Sequence, residues 1–556
     1  MSFSMLAKKD ELIILPLGGL EQIGANCTMI GHDGEWIIID LGIAFYDRLG
    51  IEVLTPDVSF PVSVKDHIKG LLVTHAHEDH IGAIQYLWPQ LRCPIYLTEF
   101  PAAILRQKFK EYKWGDEVNV HVTQTRNPID IGVFNVEFVS LSHSILGSCG
   151  LNIKTSAGTV FHTGDWKIDS GALLRDEMDE ERLIEIGKGG VGCLLCDSTN
   201  VLIDDEIGSE DDVREALIRV ISRYKKERIT VTCFASNISR METVFHIAKK
   251  VGRRVAIIGR SMHRMMEAVA ETAYYSKEFK DNVGSVLTEE EVVDMPPEKV
   301  ILMCTGSQGE ARSALHRLAR GENRIIKLGS MDVVLFSSKV IPGNELDIRE
   351  MQNLLVKNGV EVVATDTEDD IHVSGHPSKD SLVKMYEWIK PQTFIPIHGD
   401  ARMLYAHKRF AEQSGLKNTL LAESGDIIRY KDGTLEKVRH KDISFDAIDG
   451  DNIIPMNATS IRERDVMSSN GHVSVSFVMS AHNRISGTPN IRINGIHVSR
   501  SDFKKLGKWI SQAVVSEVLK KPEALEERCE SVVRKILAKH LNKKPVVAIH
   551  VHKTRS

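Results

Sequence analysis

Apolar residues recur along this chain in two rhythms, and the rhythm changes partway. Through the first two hundred residues they form short blocks closed by glycine and polar turns, which predicts strands. Leu12-Ile-Ile-Leu-Pro-Leu17 runs into Gly18-Gly19, and Cys27-Thr-Met-Ile30 with Trp36-Ile-Ile-Ile-Asp40 reads as a hairpin across residues 31–34. Further strand blocks fall at 70–73, 133–139, 159–161 and 191–196. Spacing of three to four residues predicts helices over 81–91 and 101–110.

From about residue 210 strands and helices alternate. Residues 212–226, 239–250 and 308–320 carry a helical pattern, while 229–234, 254–258 and 299–304 read as strands. Such alternation builds a parallel sheet between helices, and ligands bind beyond the carboxyl ends of its strands. The turns there are Ala235-Ser-Asn-Ile-Ser-Arg240, Gly259-Arg-Ser-Met262 and Thr305-Gly-Ser-Gln-Gly309. A turn-rich stretch follows Asp426, and then a smaller domain with a strand at 473–477, long helices from 502 and a strand at 545–550.

The chain has 556 residues, enough for three or four domains. It is 42% hydrophobic and 26% charged, the balance of an ordinary globular protein, and no apolar run reaches membrane-span length. The N-terminus lacks the apolar core of a signal peptide. Eight scattered cysteines fit free thiols in a reducing cytoplasm, which is the expected location. Cys193 and Cys196 form a C-x-x-C inside an apolar strand block, where residues three apart face opposite ways and do not share a metal. The net charge is −6, but residues 501–556 hold 13 Lys/Arg against 6 Asp/Glu. That basic tail could hold a polyanion, form a solvated helix face or serve a subunit interface.

The densest chemistry lies in Thr74-His-Ala-His-Glu-Asp-His80, directly after an apolar block. Three imidazoles and a carboxylate in six residues suit a pair of divalent ions, zinc before manganese. More ligands come from His143, Asp165 and His398, each just past a predicted strand. The expected assignment puts His75, His77 and His143 on one ion and Asp79, His80 and His398 on the other. Asp165 bridges them, and Asp40 orients a histidine from behind. Because His372-Val-Ser-Gly-His376 and His398 resume this chemistry after the alternating stretch, that stretch reads as an insertion. The expected division is 1–210 and 372–445 as the split module, 211–371 as the insert, 446–460 as a linker and 461–556 as the C-terminal domain.

The order Asp40, HAHEDH, His143, Asp165 resembles the metallo-β-lactamase superfamily. Asp197-Ser-Thr-Asn200 before the insert and the His376 and His398 motifs after it resemble its β-CASP branch. Leu17-Gly-Gly-Leu-Glu-Gln-Ile-Gly-Ala-Asn26, Gly259–Met262, Thr305–Gly309, Ile341-Pro-Gly-Asn-Glu345 and HVSGH are similar to the bacterial ribonuclease J family. The resemblance implies an α/β fold: a metallo-β-lactamase αββα sandwich, an inserted parallel-sheet β-CASP domain and a small α+β C-terminal domain. It implies a ribonuclease of RNA maturation and decay with two Zn2+ per chain, Mn2+ or Mg2+ being possible, that cuts both 5′→3′ and internally. It implies a homodimer or homotetramer acting on single-stranded RNA with a 5′-monophosphate end. By the same resemblance His376 protonates the leaving oxygen with Asp197 as partner, and Asp79 belongs to the catalytic set. His372, Ser374 and the Gly375 backbone N–H grip the scissile phosphate. Ser236, Asn237, Arg240, Arg260 and Ser261 form a 5′-phosphate pocket, with His263 and Arg264 near the same channel. Ser239 and Pro377 depart from the usual pattern. The rivals are a thioester or lactam hydrolase, which needs no such insert, a DNA-directed β-CASP nuclease, and a silent RNA-binding scaffold, which would have lost metal ligands.

Overall fold

The computed structural model describes residues 7–169, 171, 177–203, 208–341, 343–368, 370–480, 482, 484–520 and 523–553. The first six residues of the N-terminal segment and Pro342 of the IPGNE string lie outside them. The chain divides into two compact units: residues up to 45 with 55–443, and residues 46–54 with 444–556.

In the first unit two sheets lie face to face. One has eight strands, with Leu12–Gly18, Cys27–His32, Glu35–Ile39 and Ile68–Leu72 at its centre. The other has six, in the order Ile129–Ile131, Phe134–Ser140, Cys149–Thr155, Gly158–His162, Cys193–Asp197, Thr393–Ile397. Alternation along each strand decides what fills the space between them. Leu12, Ile14, Ile30, Ile37 and Leu72 from one sheet pack on Phe138, Leu151, Val160, Leu195 and Ile395 from the other. The outer face of the six-stranded sheet is covered by helices Glu180–Gly189 and Lys379–Ile389, through Leu183, Ile186, Leu382, Met385 and Ile389. Cys193 belongs to the inner core and Cys196 to the outer, so the C-x-x-C straddles the sheet as its strand setting requires. All eight cysteines are free and buried.

The chain leaves the six-stranded sheet after Asp197 and re-enters it at Thr393, and the two strands are parallel neighbours. Between them lies a five-stranded, all-parallel sheet in the order Arg254–Ile258, Val300–Cys304, Arg228–Thr232, Asp332–Phe336, Glu361–Val363. This is the inserted domain. The helix expected over 308–320 is shorter than its periodicity implies: it runs Ala314–Ala319 and is capped by Ser313, which accepts from the His316 backbone. Residues 305–313 instead form a turn, with Gly306 and Gly309 in the left-handed region at φ +122° and +79°.

In the second unit, strands Phe445–Asp449 and Asn452–Pro455 pair within a four-stranded sheet, and Ile51–Pro56 lies beside the former. The stretch 446–460, expected to be a linker, is therefore ordered strand and the start of helix Thr459–Asn470. A three-stranded sheet, Ile485–Asn494, His472–Met479, Val546–Lys553, packs one face on helices Arg500–Val518 and Leu525–Leu541 through Val473, Val475, Ile510, Val514, Val533 and Leu537.

Candidate metal centre and substrate cleft

Each candidate ligand lies at or just past the carboxyl end of a strand. Ile68–Leu72 leads to residues 74–80, Phe134–Ser140 to His143, Gly158–His162 to Asp165, and Thr393–Ile397 to His398, while Cys193–Asp197 ends on Asp197 itself. Parallel and antiparallel neighbours thus converge on one edge of the sandwich. Asp40 and His398 sit there at φ +58° and +53°. Left-handed backbone at such residues costs on the order of 1–3 kcal/mol and persists only where surroundings fix it.

Asp165 is the meeting point of two groups, His75–His77–His143 and Asp79–His80–His398. Its Oδ2 is 3.3 Å from both His80 Nε2 and His398 Nε2, 3.7 Å from His75 Nε2 and 3.9 Å from His143 Nε2. His77 Nδ1 is 3.1 Å from the Nε2 atoms of His75 and His143. The outer nitrogens decide the tautomers. His143 Nδ1–H donates to the Gly375 carbonyl at 2.6 Å, and His80 Nδ1–H to Asp40 Oδ2 at 2.7 Å. Thr74 Oγ1 donates to Asp40 Oδ2, so it accepts from His75 Nδ1–H at 3.0 Å, and His398 Nδ1–H donates to Asn26 Oδ1 at 2.9 Å. The inner nitrogens of His75, His80, His143 and His398 therefore carry lone pairs aimed at one space. Asp165 Oδ1, fully buried, has no hydrogen-bond partner among the described residues. Convergent lone pairs around ionised carboxylates fit divalent cations, and an N···N spacing of 3.1 Å is close to the edge of a tetrahedron with Zn–N bonds of about 2.0–2.1 Å.

Electrostatics agree. Burial holds His75 and His143 well below the usual imidazole range and lowers His77 to about 4, so these rings are neutral and able to ligate. Burial opposes ionisation of Asp165, but the surrounding His398 and His80 hold it well below the usual carboxylate range. His80 is the exception: burial disfavours its charge, yet Asp165, Asp79 and Asp40 push it well up, so its Nε2 gives up a proton when it ligates.

His376 faces this centre from the loop that follows the insert. Its ring stacks on His398 with centroids 5.6 Å apart, and its Nδ1 is 2.7 Å from Asp197 Oδ2. Burial works against a charge there, but the carboxylates of Asp197, Asp165 and Asp79 raise the imidazole to about 9. Gly375 cannot be larger: a Cβ would stand 2.9 Å from His143 Cε1 and 3.0 Å from Ser144 Oγ. Two amides that sequence reading gave no role complete the frame. Asn26 holds His398 through Oδ1 and donates from Nδ2 to the Asp79 carbonyl at 3.0 Å. Asn200 Nδ2 donates to Ser374 Oγ and to the His376 carbonyl, both at 2.9 Å. Both belong to strings noted in the sequence, but an amide beside a turn carries no signal of its own.

The phosphate-binding expectations fare unevenly. Arg240 does not line a pocket. It is fully buried, with Nη2 and Nε on the Glu210 carboxylate at 3.2–3.3 Å and Nη1 on the Ser337 carbonyl at 3.0 Å, on Ser337 Oγ and on the Ile371 carbonyl. Glu210 in turn neighbours the buried Lys167–Asp169 pair. Asn237 is buried as the cap of helix Ile238–Val251, accepting from the Arg240 backbone. At His372 burial, then Arg240 and Lys167, lowers the imidazole well below its ordinary range. Ser236 is half-buried, while Arg260 and Ser261 stand exposed in the first turn of helix Arg260–Ala270. These turns end strands separated by one neighbour in the sheet, about 10 Å apart. His263 donates to the Ile257 carbonyl, and Arg264 pairs with Glu111 at 2.7 Å.

Sandwich, insert and ligand-rich edge together define a metallo-β-lactamase-fold hydrolase of the β-CASP type. Family models match along the chain: a beta-lactamase superfamily domain at 35–190, the beta-CASP domain of ribonuclease J at 226–355, a Zn-dependent metallo-hydrolase RNA specificity domain at 359–421 and the ribonuclease J C-terminal domain at 459–554. The chain is 35% identical to ribonuclease J of Sinorhizobium meliloti over 99% of its own length and 98% of the relative's. It is 33% identical to that of Helicobacter pylori, covering 98% and 80%, and 36% identical to that of Mycolicibacterium smegmatis, covering 84% and 83%. The chain belongs to the ribonuclease J family. A solved Enterococcus faecalis protein of unknown function shares the fold, with TM-score 0.55, 16% identity, and 75% of this chain and all of that one covered.

Two outcomes follow from this geometry. Asn26→Ala frees His398 Nδ1 and Asp79, and should weaken metal binding by about 10- to 100-fold in a competitive chelator titration. Arg240→Ala strands a buried carboxylate and should cost about 3–5 kcal/mol in urea unfolding, most of it recovered by pairing Arg240→Met with Glu210→Leu.

Proposed function

We propose that this chain hydrolyses RNA phosphodiester bonds with two metal ions, from the 5′ end and internally, in RNA maturation and decay. The observation that carries the reading is the set of inward lone pairs and carboxylates around Asp165, faced by the His376–Asp197 pair. His75, His77 and His143 would hold one zinc ion and Asp79, His80 and His398 the other, with Asp165 shared and Asp40 orienting His80. Manganese or magnesium could replace zinc. Ions bound there supply Lewis acidity, bringing the pKa of water toward about 7 and drawing charge from a phosphate.

The chain's own groups do the rest. Asp197 holds His376 Nδ1–H, which leaves Nε2–H free to protonate the departing 3′-oxygen. An imidazole raised to about 9 is protonated at neutral pH, so it also adds positive charge beside the substrate. Asn200 fixes the loop through Ser374 and the His376 carbonyl, leaving the Gly375 and His376 region to hold the scissile phosphate. Of the residues expected in a 5′-monophosphate pocket Ser236, Arg260 and Ser261 remain, with N–H groups at a helix start and a guanidinium suited to phosphate. The matched RNA specificity and ribonuclease J models support RNA as substrate. The same resemblance supports a cytoplasmic homodimer or homotetramer, residues 211–371 as the insert and 461–556 as the C-terminal domain.

Two measurements test this. His376→Ala should lower kcat on a 5′-labelled RNA by about 100- to 10,000-fold with metal content unchanged; an unaltered kcat removes His376 as the acid. Wild-type protein should shorten 5′-monophosphate RNA faster than 5′-triphosphate RNA, and Arg260→Ala should erase the difference. Equal rates on both ends would rule out the pocket, and full activity after chelation and dialysis would rule out the metal mechanism.

A further inference from the structure

The basic excess of the last fifty-six residues is not spread over the C-terminal unit. Helices Arg500–Val518 and Leu525–Leu541 run antiparallel, as two cross-contacts establish. The Trp509 and His540 rings stack at 4.0 Å and 24°, and at the opposite end Arg528 Nε is 3.3 Å from Glu517 Oε2. Charge is segregated between those ends. Residues 500–515 and 534–544 carry nine Lys/Arg and one Asp, whereas 516–533 carry three Lys/Arg and five Glu. At the acidic end the charges pair among themselves, Glu517 with Lys520 and Arg528. At the basic end Arg534 reaches back to Glu530, and Lys505 stands a loose 3.8 Å from Asp502. Among the described residues no carboxylate pairs with Lys504, Lys508, Lys535, Lys539, Lys543 or Lys544, all of them exposed.

Like charges gathered this closely repel one another and lower the stability of the pair, so the fold gains nothing from collecting them. They do match a polyanion. The same end also presents aromatic surface: Trp509 is 37% exposed with one face on His540, and Phe503 is 39% exposed. Lysines set around an open indole are the chemistry that holds an unpaired strand, cations following the phosphates while bases stack on the ring. A protein partner with an acidic patch would satisfy the lysines but not the open indole face.

We infer that the Trp509–His540 end of this helix pair is a binding face for single-stranded RNA, separate from the residues that cut. The inference rests on RNA being the substrate. It gives the C-terminal unit the task of retaining a long strand between successive cleavages, a hold that a very short substrate would not feel.

The test uses the full-length protein carrying Lys504→Gln, Lys505→Gln, Lys508→Gln and Lys539→Gln together, with Trp509→Ala and Trp509→Phe made separately. All these side chains are exposed, and unfolding curves confirm that the variants fold. On a long unstructured 5′-monophosphate RNA the quadruple variant should raise KM about tenfold with kcat unchanged, and flatten the salt dependence of log Kd by about 0.7 per lost phosphate contact. A tetranucleotide should be cleaved as by wild type. Trp509→Ala should weaken long-RNA binding, and Trp509→Phe should restore much of it. Unchanged affinity for long RNA overturns the inference, as does a change of oligomeric state in light scattering without a change in RNA affinity. Wild-type protein that binds RNA through these lysines but never cuts it would instead overturn the proposed activity and leave this face standing.

Discussion

The pairing of Cys193–Asp197 with Thr393–Ile397 is the contact on which the rest of the molecule depends. The two strands are separated by the whole insert, yet they run side by side with Asp197 opposite Ile397. That register places Asp197, where the chain leaves the sheet, beside the residue that precedes His398. A slip of one residue would turn Leu195 or Ile395 out of the inner core and exchange the faces of the strand. The hydrophobic sandwich therefore enforces the position of polar groups it never touches. The inserted sheet can be a large, self-contained body because only its two ends are fixed by this register.

Charge placement follows the same logic at two levels. In the centre, anionic Asp165 is surrounded by imidazoles, and hydrogen bonds at the outer nitrogens of His75, His80, His143 and His398 turn their inner nitrogens toward the space a cation would fill. Behind it, the Lys167–Asp169 and Glu210–Arg240 pairs bury four ionised groups where the sandwich, the insert and the returning chain meet. Arg240 ends this series on the Ile371 carbonyl, one residue before the HVSGH loop. A buried pair of this kind adds little net stability but penalises any arrangement that separates its members, which suits a junction between three segments.

The sandwich, the insertion and the strand-end ligands were legible because the signals were local: an apolar block followed at once by His or Asp. Asn26 and Asn200 were not legible, since an amide becomes a ligand-orienting group only when a distant imidazole or loop is brought to it. Arg240 was misread for a related reason. A guanidinium four residues after a serine at a helix start looks like a phosphate ligand until Glu210, on another helix, is known to face it. The 446–460 segment looked like a linker because its short strands acquire partners from each other and from 51–56, which sequence adjacency does not reveal.

The hydrogen bond from His143 to the Gly375 carbonyl joins two jobs in one contact. The loop that carries the proposed proton donor also sets the ring orientation of a histidine proposed to bind an ion. Loop closure and ion occupancy are then thermodynamically linked, and linkage of this kind is reciprocal. If both proposals hold, a strand seated beside His376 would tighten the grip on the ions, and an ion-depleted centre would lose its hold on the strand. Starved of metal, such an enzyme would release its transcripts instead of sequestering them uncut.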